Sequence, residues 1–219
     1  MAVRRFIFIR HGKTQSNLER RYSGDPGEPL CAEGVSEAQA LARGGVLPQP
    51  IDMVVSGVAL RCRQTAEILF PGAAPAICPM AEIDFGIFKG KNAGELLGYK
   101  EYERWLDTGC MGDIPGGDSV SAFRKRCCEA FLQIAEADDA VTTALIVHGG
   151  NIMAIMEHFA APKQSFFEYR TPNCGFYFCR YENGALYVER RSATGNAANN
   201  SYSSAEAERG GRSVDRYIR

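Results

Sequence analysis

The sequence lacks any long hydrophobic run and carries almost no net charge. Its formal net charge is −1, because 25 lysines and arginines nearly balance 26 aspartates and glutamates. No general positive field favours nucleic acid or an anionic membrane surface, so any affinity for phosphate must come from a local group of cations. No apolar stretch approaches the roughly 20 residues that span a membrane, and only four apolar residues separate Arg5 from Arg10. We therefore expect no membrane contact, no nucleic-acid partner, no signal peptide and a cytoplasmic protein.

Cysteine spacing does not indicate a metal site or a redox motif. None of the eight cysteines belongs to a C-x-x-C pair or to a Cys/His spacing typical of zinc. Without an export signal, reduced thiols are the default. We expect most of these cysteines to pack as small apolar side chains.

One stretch near the start of the chain joins a hydrophobic run to polar groups. The apolar residues 6–9 end in Arg10, His11 and Gly12, a pattern typical of a buried strand that runs into a turn. Ligands of open parallel sheets bind beyond the carboxyl ends of the strands. A guanidinium can bind two phosphate oxygens, and an imidazole can attack phosphorus or exchange protons near neutral pH. An exposed strand end with two polar residues is the alternative.

The same arrangement occurs again near residue 148. The apolar run 143–147 ends in His148, followed by two glycines and a helix predicted over 151–158. Two strands that each deliver an imidazole to the carboxyl edge of a sheet are much less expected by chance than one. The third histidine, His158, falls at the end of that helix, where a partial positive charge suits the helix dipole, so we interpret it as structural.

Arg61 and Glu82 complete the candidate site residues. Arg61 falls in the first turn of a helix predicted to begin near Val58, and a helix N-terminus favours anions. A solvated helix cation is an equal alternative at this point. Glu82 stands among apolar and glycine residues, which can desolvate a carboxyl group and raise its pKa, as a general acid requires. A surface acid on a loop is the alternative.

Five short blocks, taken in chain order, resemble the signature of the histidine phosphatase superfamily, also called phosphoglycerate mutase-like. Each block is weak by itself, and their order makes the match specific. Lys13 stands where the family often has Glu, which suggests a more anionic substrate. The blocks fall within residues 4–190 and are Arg10-His11-Gly12-Lys13-Thr14 with Asn17, Ser23-Gly24 with Asp25, Leu60-Arg61 with Gln64-Thr65-Ala66, Glu82 with Gly86, and Val147-His148-Gly149-Gly150.

The resemblance implies a role for each candidate residue. His11 would attack phosphorus and carry the phosphoryl group as a phosphohistidine. Glu82 would protonate the leaving oxygen and then activate water. Arg10, Arg61 and His148 would hold the equatorial oxygens during an in-line transfer. Because the arginines take the place of a metal ion, the resemblance implies no metal and no cofactor. The further phosphate-binding positions that it implies are Asn17, Ser23, Gly24 and Gly149.

The resemblance also implies an α/β fold. We expect a three-layer sandwich, with a mostly parallel sheet, an antiparallel edge and helices on both faces. A single domain is predicted over residues 1–191, with a small cap around residues 87–117. Residues 192–219 are polar and predict a C-terminal tail.

These inferences predict a metal-independent phosphomonoesterase that acts on a small phosphorylated metabolite. Only about thirty residues separate Glu82 from Gly116, so the cap is small and water can reach a phosphohistidine, which favours hydrolysis. The short helices around Trp105 are most similar to those of small bacterial phosphatases, including those acting on α-ribazole phosphate. The alternatives are a phosphoglycerate mutase and, in another class, a phosphoprotein phosphatase or a non-catalytic phosphate-binding adaptor. The natural substrate and the oligomeric state, including a homodimer, stay open.

Overall fold

A six-stranded mixed sheet forms the centre of the computed structural model, which describes residues 3–137 and 140–192. The strand order is β3-β2-β4-β1-β5-β6, parallel from β3 to β1 and antiparallel from β1 to β6. The predicted tail over 192–219 lies outside the described residues except for Ser192. The strands are β1 (Arg4–Arg10), β2 (Met53–Gly57), β3 (Ala76–Cys78), β4 (Thr142–Val147), β5 (Phe176–Glu182) and β6 (Ala185–Arg191).

Helices cover both faces of this sheet, as the predicted three-layer sandwich requires. None of the helices in the described ranges is long and apolar enough to cross a membrane. Two short 3₁₀ helices, Gly86–Phe88 and Phe166–Tyr169, complete the regular structure. The α-helices are α1 (Gln15–Leu18), α2 (Ala32–Arg43), α3 (Leu60–Leu69), α4 (Ala93–Leu96), α5 (Lys100–Asp107), α6 (Val120–Ala137) and α7 (Gly149–Phe159).

Alternating side chains of β1 fill the two cores. Phe6 and Phe8 pack in the core beneath α6 and α7, whereas Ile7 and Ile9 pack in the core beneath α2 and α3. The alternation follows from the two-residue period of a strand. Every residue of β4 is buried, because this strand lies between β1 and β2 and both of its faces are covered. The apolar runs of the sequence therefore identify the centre of the sheet.

Residues 174–179 and 185–190 are apolar or alternating on either side of Glu182-Asn183-Gly184, a pattern that predicts a hairpin. The hairpin is present, but its first strand begins later than residue 174. Asn183 and Gly184 both have positive φ, as a tight hairpin turn requires. Strand β5 begins at Phe176 rather than at Cys174. Cys174 has a φ of 55°, and its N–H donates to the carbonyl of Arg10 at 3.0 Å. This residue therefore belongs to a turn beside β1, because a left-handed backbone conformation cannot continue a strand.

Residues 86–118 form a separate excursion from the sheet, which we call the cap. Its ends are joined, because Ile87 N–H donates to Pro115 O at 3.0 Å and Asp118 N–H donates to Asp84 O at 2.9 Å. The cap has its own aromatic cluster, in which Tyr102 and Trp105 of α5 pack against Tyr22. The α5 helix forms because its apolar side chains fall on one face.

Arg124, Lys125 and Arg126 fall off the apolar face of the helix predicted up to residue 137, so the sequence predicts that all three are solvated. The structure differs, because two of these three cations of α6 have ion-pair partners on neighbouring elements. Arg124 pairs with Glu157 of α7 and its guanidinium lies 4.6 Å from the ring centroid of Phe166. Arg126 Nη2 donates to Asp118 Oδ2 at 2.7 Å. Only Lys125 among these three extends largely into solvent. The arginines reach neighbouring elements because their long stems can cross an apolar surface.

Candidate active site

The carboxyl ends of β1 and β4 bring two histidines together. The strands are parallel neighbours with Arg10 opposite Val147, so the residues that follow, His11 and His148, emerge side by side. Their ring centroids are 5.0 Å apart with an interplanar angle of 72°. His11 N–H donates to Val147 O at 3.0 Å and extends the pairing to the site. Two imidazoles that lie far apart in the sequence thus face the same space.

The ring of His11 is held in a single orientation. Its Nδ1 lies 2.7 Å from Gly12 O; a carbonyl only accepts, so Nδ1 carries the proton and Nε2 keeps its lone pair. Burial, followed by the charges of Arg10 and Arg61, lowers the pKa of His11 well below its ordinary value. The imidazole is therefore neutral at neutral pH, with Nε2 available to attack an electrophile.

Two hydrogen bonds with residues distant in the sequence hold the turn that carries His11. Gly12 N–H donates to Thr65 Oγ1 at 3.0 Å, and Asn173 Nδ2 donates to His11 O at 2.9 Å. A side chain at position 12 would crowd Gly34 O of α2, 2.8 Å from the place a Cβ would take. Glycine is therefore required here for close packing of the turn against the helix.

Two arginines flank the histidines, Arg61 buried and Arg10 half-buried. Arg10 Nη1 donates to Thr171 O at 2.8 Å, and Arg61 Nη1 donates to Asp25 O at 2.8 Å. The Nε atom of each arginine is buried and has no hydrogen-bond partner among the described residues. Burial lowers the pKa of Arg10, and the charge of Glu82 opposes that shift. Arginine stays protonated in proteins, so the two Nε–H groups are donors that an anion could satisfy.

His148 lies between Arg61 and a buried thiol. Its Nδ1 is 3.4 Å from Arg61 Nη2, and its Nε2 is 3.7 Å from Cys62 Sγ. A guanidinium can only donate, so Nδ1 is the acceptor and Nε2 carries the proton. Burial, with the charges of His11, Arg61 and Arg10 adding to it, lowers the pKa of His148 well below its ordinary value. This second imidazole is also neutral.

Glu82 faces the start of α7. Its Oε2 accepts from Gly150 N–H at 3.4 Å, and its Oε1 accepts from Ile83 N–H at 3.0 Å. A side chain at position 150 would overlap this carboxylate, so glycine lets Glu82 approach the helix closely. The acid therefore contacts the backbone just beyond His148 and lies within electrostatic reach of Arg10.

Among the other predicted phosphate-binding residues, Asn17 and Gly149 lie next to the His11 turn and Arg10, whereas Ser23 bonds to another side chain. Asn17 Oδ1 accepts from Thr14 N–H at 3.1 Å and from Asn173 Nδ2 at 3.2 Å, which places Asn17 close to the His11 turn. A Cβ on Gly149 would lie 3.4 Å from Arg10 Nε. Ser23 instead donates to Glu28 Oε2 at 3.2 Å.

Gly24 packs against Lys89, and Lys13 forms ion pairs with two glutamates of α2. A side chain on Gly24 would crowd Lys89, 2.6 Å from its Cγ and Cδ. Lys13 pairs with Glu33 and Glu37 of α2. The suggestion that Lys13 favours a more anionic substrate therefore loses its basis, because its charge is neutralised by two carboxylates.

Several residues that hold the site are not identified as site residues by the sequence. They are buried polar groups whose partners lie far away in the chain, such as Asn173, 162 positions from His11. Thr65 belongs to a matching block, yet nothing in that block indicates a bond to Gly12. No group of three or more His, Cys, Asp or Glu side chains suited to a metal ion occurs within residues 3–137 and 140–192.

Comparisons with known proteins agree with the fold and the motifs. The model of the histidine phosphatase superfamily (branch 1) matches residues 6–194. A protein of Citrobacter koseri named "Probable phosphoglycerate mutase GpmB" is 31% identical over 147 residues, which is 64% of this chain and 67% of that protein. The "Alpha-ribazole Phosphatase" structure from Shigella flexneri superimposes with a TM-score of 0.77 at 21% identity, over 87% of this chain and 96% of that one; it is similar in fold.

A third similar protein has a higher sequence identity and a lower TM-score than the Shigella structure. The crystal structure of a phosphoglycerate mutase from Thermus thermophilus has a TM-score of 0.65 at 29% identity and covers 86% of this chain and 98% of that one. The family model spans the candidate residues from Arg10 to His148. This chain belongs to the histidine phosphatase superfamily.

Proposed function

We propose that the protein is a phosphomonoesterase that hydrolyses a small phosphorylated metabolite through a phosphohistidine on His11. The observation that carries this proposal is the neutral, oriented imidazole of His11 beside two arginines whose buried Nε–H groups have no partner among the described residues. A phosphate dianion supplies both the electrophile that the imidazole requires and the acceptors that the arginines require.

The first half of the reaction transfers the phosphoryl group to the protein. His11 Nε2 attacks phosphorus, and the bond between phosphorus and the leaving oxygen breaks. Glu82, in its protonated form, gives its proton to that oxygen, and the product alcohol leaves. Arg10 and Arg61 hold the equatorial oxygens, whose charge they balance without rearrangement because both side chains are already fixed by backbone carbonyls.

The second half returns the protein to its starting state. Glu82, now a carboxylate, takes a proton from a water molecule, and the oxygen of that water attacks phosphorus. The bond between phosphorus and Nε2 breaks, which regenerates neutral His11, protonated Glu82 and inorganic phosphate. Asn17 adds a neutral donor through Nδ2, because its Oδ1 is already engaged by Thr14 and Asn173.

The size of the cap supports hydrolysis, and the names of two similar proteins support the alternative of a mutase. Residues 86–118 contain only two short α-helices, which pack with Tyr22 in an aromatic cluster, and a cap of this size favours access of water to a phosphohistidine. A phosphoglycerate mutase is the second candidate, because the Citrobacter protein is named a probable phosphoglycerate mutase and the Thermus protein a phosphoglycerate mutase. An α-ribazole phosphatase activity rests on likeness to the Shigella protein. A cytoplasmic location stays a prediction.

The experiment that tests the proposal compares hydrolysis with isomerisation. The full chain is supplied with p-nitrophenyl phosphate, α-ribazole phosphate and 3-phosphoglycerate, each with and without EDTA. Release of inorganic phosphate that survives EDTA is the expected result. Conversion of 3-phosphoglycerate to its isomer without phosphate release would establish the mutase instead. Binding of phosphate with no turnover of any substrate would favour the adaptor.

A further inference from the structure

Glu82 lies in a segment that no strand or helix supports. Residues 79–85 follow the three-residue strand β3 and contain no regular structure. The strand ladder that fixes His11 and His148 therefore does not reach the acid. General acid catalysis is sensitive to such placement, because a displacement of about 1 Å can cost about 100-fold in rate. Some other contact must set the position of this segment.

Asn151 supplies a contact between the segment and the His148 turn. This residue is completely buried in the first turn of α7. Its Oδ1 accepts from His148 N–H at 3.1 Å. Its Nδ2 donates to Ala81 O at 3.0 Å and lies 3.2 Å from Cys127 Sγ of α6. One amide group thus bonds to the backbone of one site residue and to the residue immediately before another.

A second contact fixes the other side of Glu82 without reaching the phosphate site. Arg126 Nη2 donates to Glu82 O at 3.3 Å, and the same atom bonds to Asp118. That interaction ties the acid to α6 and to the end of the cap. Only the Asn151 amide, among the hydrogen bonds of the described residues, runs from this backbone segment to the backbone of His148.

We propose that Asn151 is a positioning residue that holds Glu82 in register with the phosphate site. The inference rests on the proposed function, because it assumes that Glu82 protonates the leaving oxygen. The planar amide of Asn151 accepts at one end and donates at the other, and neither Ala nor an ionised Asp can do both. Loss of the bond to Ala81 would leave the histidines and arginines in place while the acid moves.

The readout is the dependence of kcat/KM on the leaving group. A p-nitrophenolate leaves without protonation, whereas an alkoxide requires a proton from the acid. Wild type, Asn151→Ala, Asn151→Asp and Glu82→Gln are assayed with p-nitrophenyl phosphate and with glycerol 1-phosphate. Cys127→Ala is the matched control, because it removes the third partner of Asn151 from the same buried layer and keeps the bond to Ala81. Thermal unfolding is measured for every variant.

The expected result is a loss confined to the alkyl phosphate. Asn151→Asp should lower kcat/KM for glycerol 1-phosphate by about 10- to 100-fold and for p-nitrophenyl phosphate by less than about 3-fold. Asn151→Ala also removes the acceptor for His148 N–H, so its loss on glycerol 1-phosphate should be at least as large and should still exceed its loss on p-nitrophenyl phosphate. Asn151→Asp keeps the acceptor for His148 N–H, so its inhibition constant for inorganic phosphate should stay near the wild-type value. Cys127→Ala should keep the wild-type ratio of the two substrates.

Two results would overturn the inference, and they can be told apart. Equal losses on both substrates in both Asn151 variants, with Glu82→Gln still selective for the alkyl phosphate, would mean that Asn151 only stabilises the fold. Equal losses on both substrates in Glu82→Gln would refute the acid role of Glu82, and with it both the inference and that step of the proposed function.

Discussion

The proposed phosphate site and the cap differ in the side chains that form them. We propose that the phosphate site consists of Arg10, His11, Arg61, Glu82 and His148, of which both histidines and Arg61 are buried polar groups. The cap is centred on a cluster of buried aromatic and aliphatic side chains. Buried polar groups are costly without partners, whereas aromatic packing stabilises directly. The first region thus keeps charged donors for a ligand at some cost in stability, and the second contributes packing and shape.

The proposed phosphate site and the cap meet beside Glu82. Ile83, which follows Glu82, packs against both the main core and the cap cluster, and Phe167 does the same. His11 and His148 therefore follow paired strands of the sheet, whereas Glu82 lies at the border with the cap. A difference in function between the regions should appear as a difference in what mutations do, and four experiments test that difference in order of decreasing effect.

Loss of the proposed nucleophile should have the largest effect. His11→Ala removes the imidazole whose Nε2 carries the free lone pair in the phosphate site, so kcat for p-nitrophenyl phosphate should fall by about 10⁴-fold or more. Incubation with a labelled phosphate ester and rapid acid-free quenching should show label on wild type and none on the variant. Label recovered on another residue would contradict the assignment of the nucleophile.

Loss of one buried arginine should have the next largest effect. Arg61→Ala removes an Nε–H that has no partner in the described part of the chain, and kcat/KM should fall by about 100- to 1,000-fold, as for one lost transition-state donor. Arg63 is the matched control, because it lies on the same helix and is exposed. Arg63→Ala should keep wild-type kinetics. Equal losses in the two variants would mean that general charge, and not the site, attracts the substrate.

Lowering the pH should destabilise the protein because the two histidines of the proposed phosphate site become protonated, whereas the cap contains no histidine. The pKa values of His11 and His148 are lowered in the folded state, from 6.5, chiefly by burial. The unfolded chain then binds more protons, so stability is full above pH 6.5 and is lost as the pH falls toward the lowered pKa values. The free energy of unfolding should drop by up to about 1.4 kcal/mol per pH unit for each histidine.

Urea unfolding at about pH 7.5 and about pH 5.5, on either side of the ordinary histidine pKa, measures this loss. The double variant His11→Gln/His148→Gln is the control, because it removes both titrating groups, and the cap contains no histidine. Its stability should change less between the two pH values than that of wild type. An equal change in both proteins would assign the acid sensitivity to other groups.

A change within the cap should have the smallest effect and should leave the chemistry intact. The hydroxyls of Tyr102, in the cap, and Tyr22 lie 3.0 Å apart and are buried, so Tyr102→Phe leaves the hydroxyl of Tyr22 without its partner. The free energy of unfolding should fall by about 1 kcal/mol, and kcat for p-nitrophenyl phosphate should stay within about 2-fold. A large fall in kcat at unchanged stability would show that the cap takes part in the chemistry.

Much of the fold is predictable because it follows from local periodicity. The apolar runs before His11 and His148 predict the two central strands, and Asn183 with Gly184 predicts the hairpin. The predicted start of β5 is wrong, since the left-handed backbone of Cys174 depends on its contact with β1. The surface interpretation of Arg126 is wrong as well, because its partners lie on loops that only tertiary packing brings near.

The sequence by itself determined the family, the layer architecture and which residue types stand at the ends of the strands. In the matching blocks, an apolar run ends in an imidazole or comes shortly before an arginine. Such a pattern involves only neighbouring residues, so it can be recognised in the sequence. The tertiary structure alone decided which nitrogen of each histidine is protonated, which guanidinium atoms lack partners among the described residues, and that Asn151 joins the residue before Glu82 to the backbone of His148. The contacts of His148 with Arg61 and of Asn151 with Ala81 join residues that lie 87 and 70 positions apart, and no period or spacing in a sequence encodes such pairs.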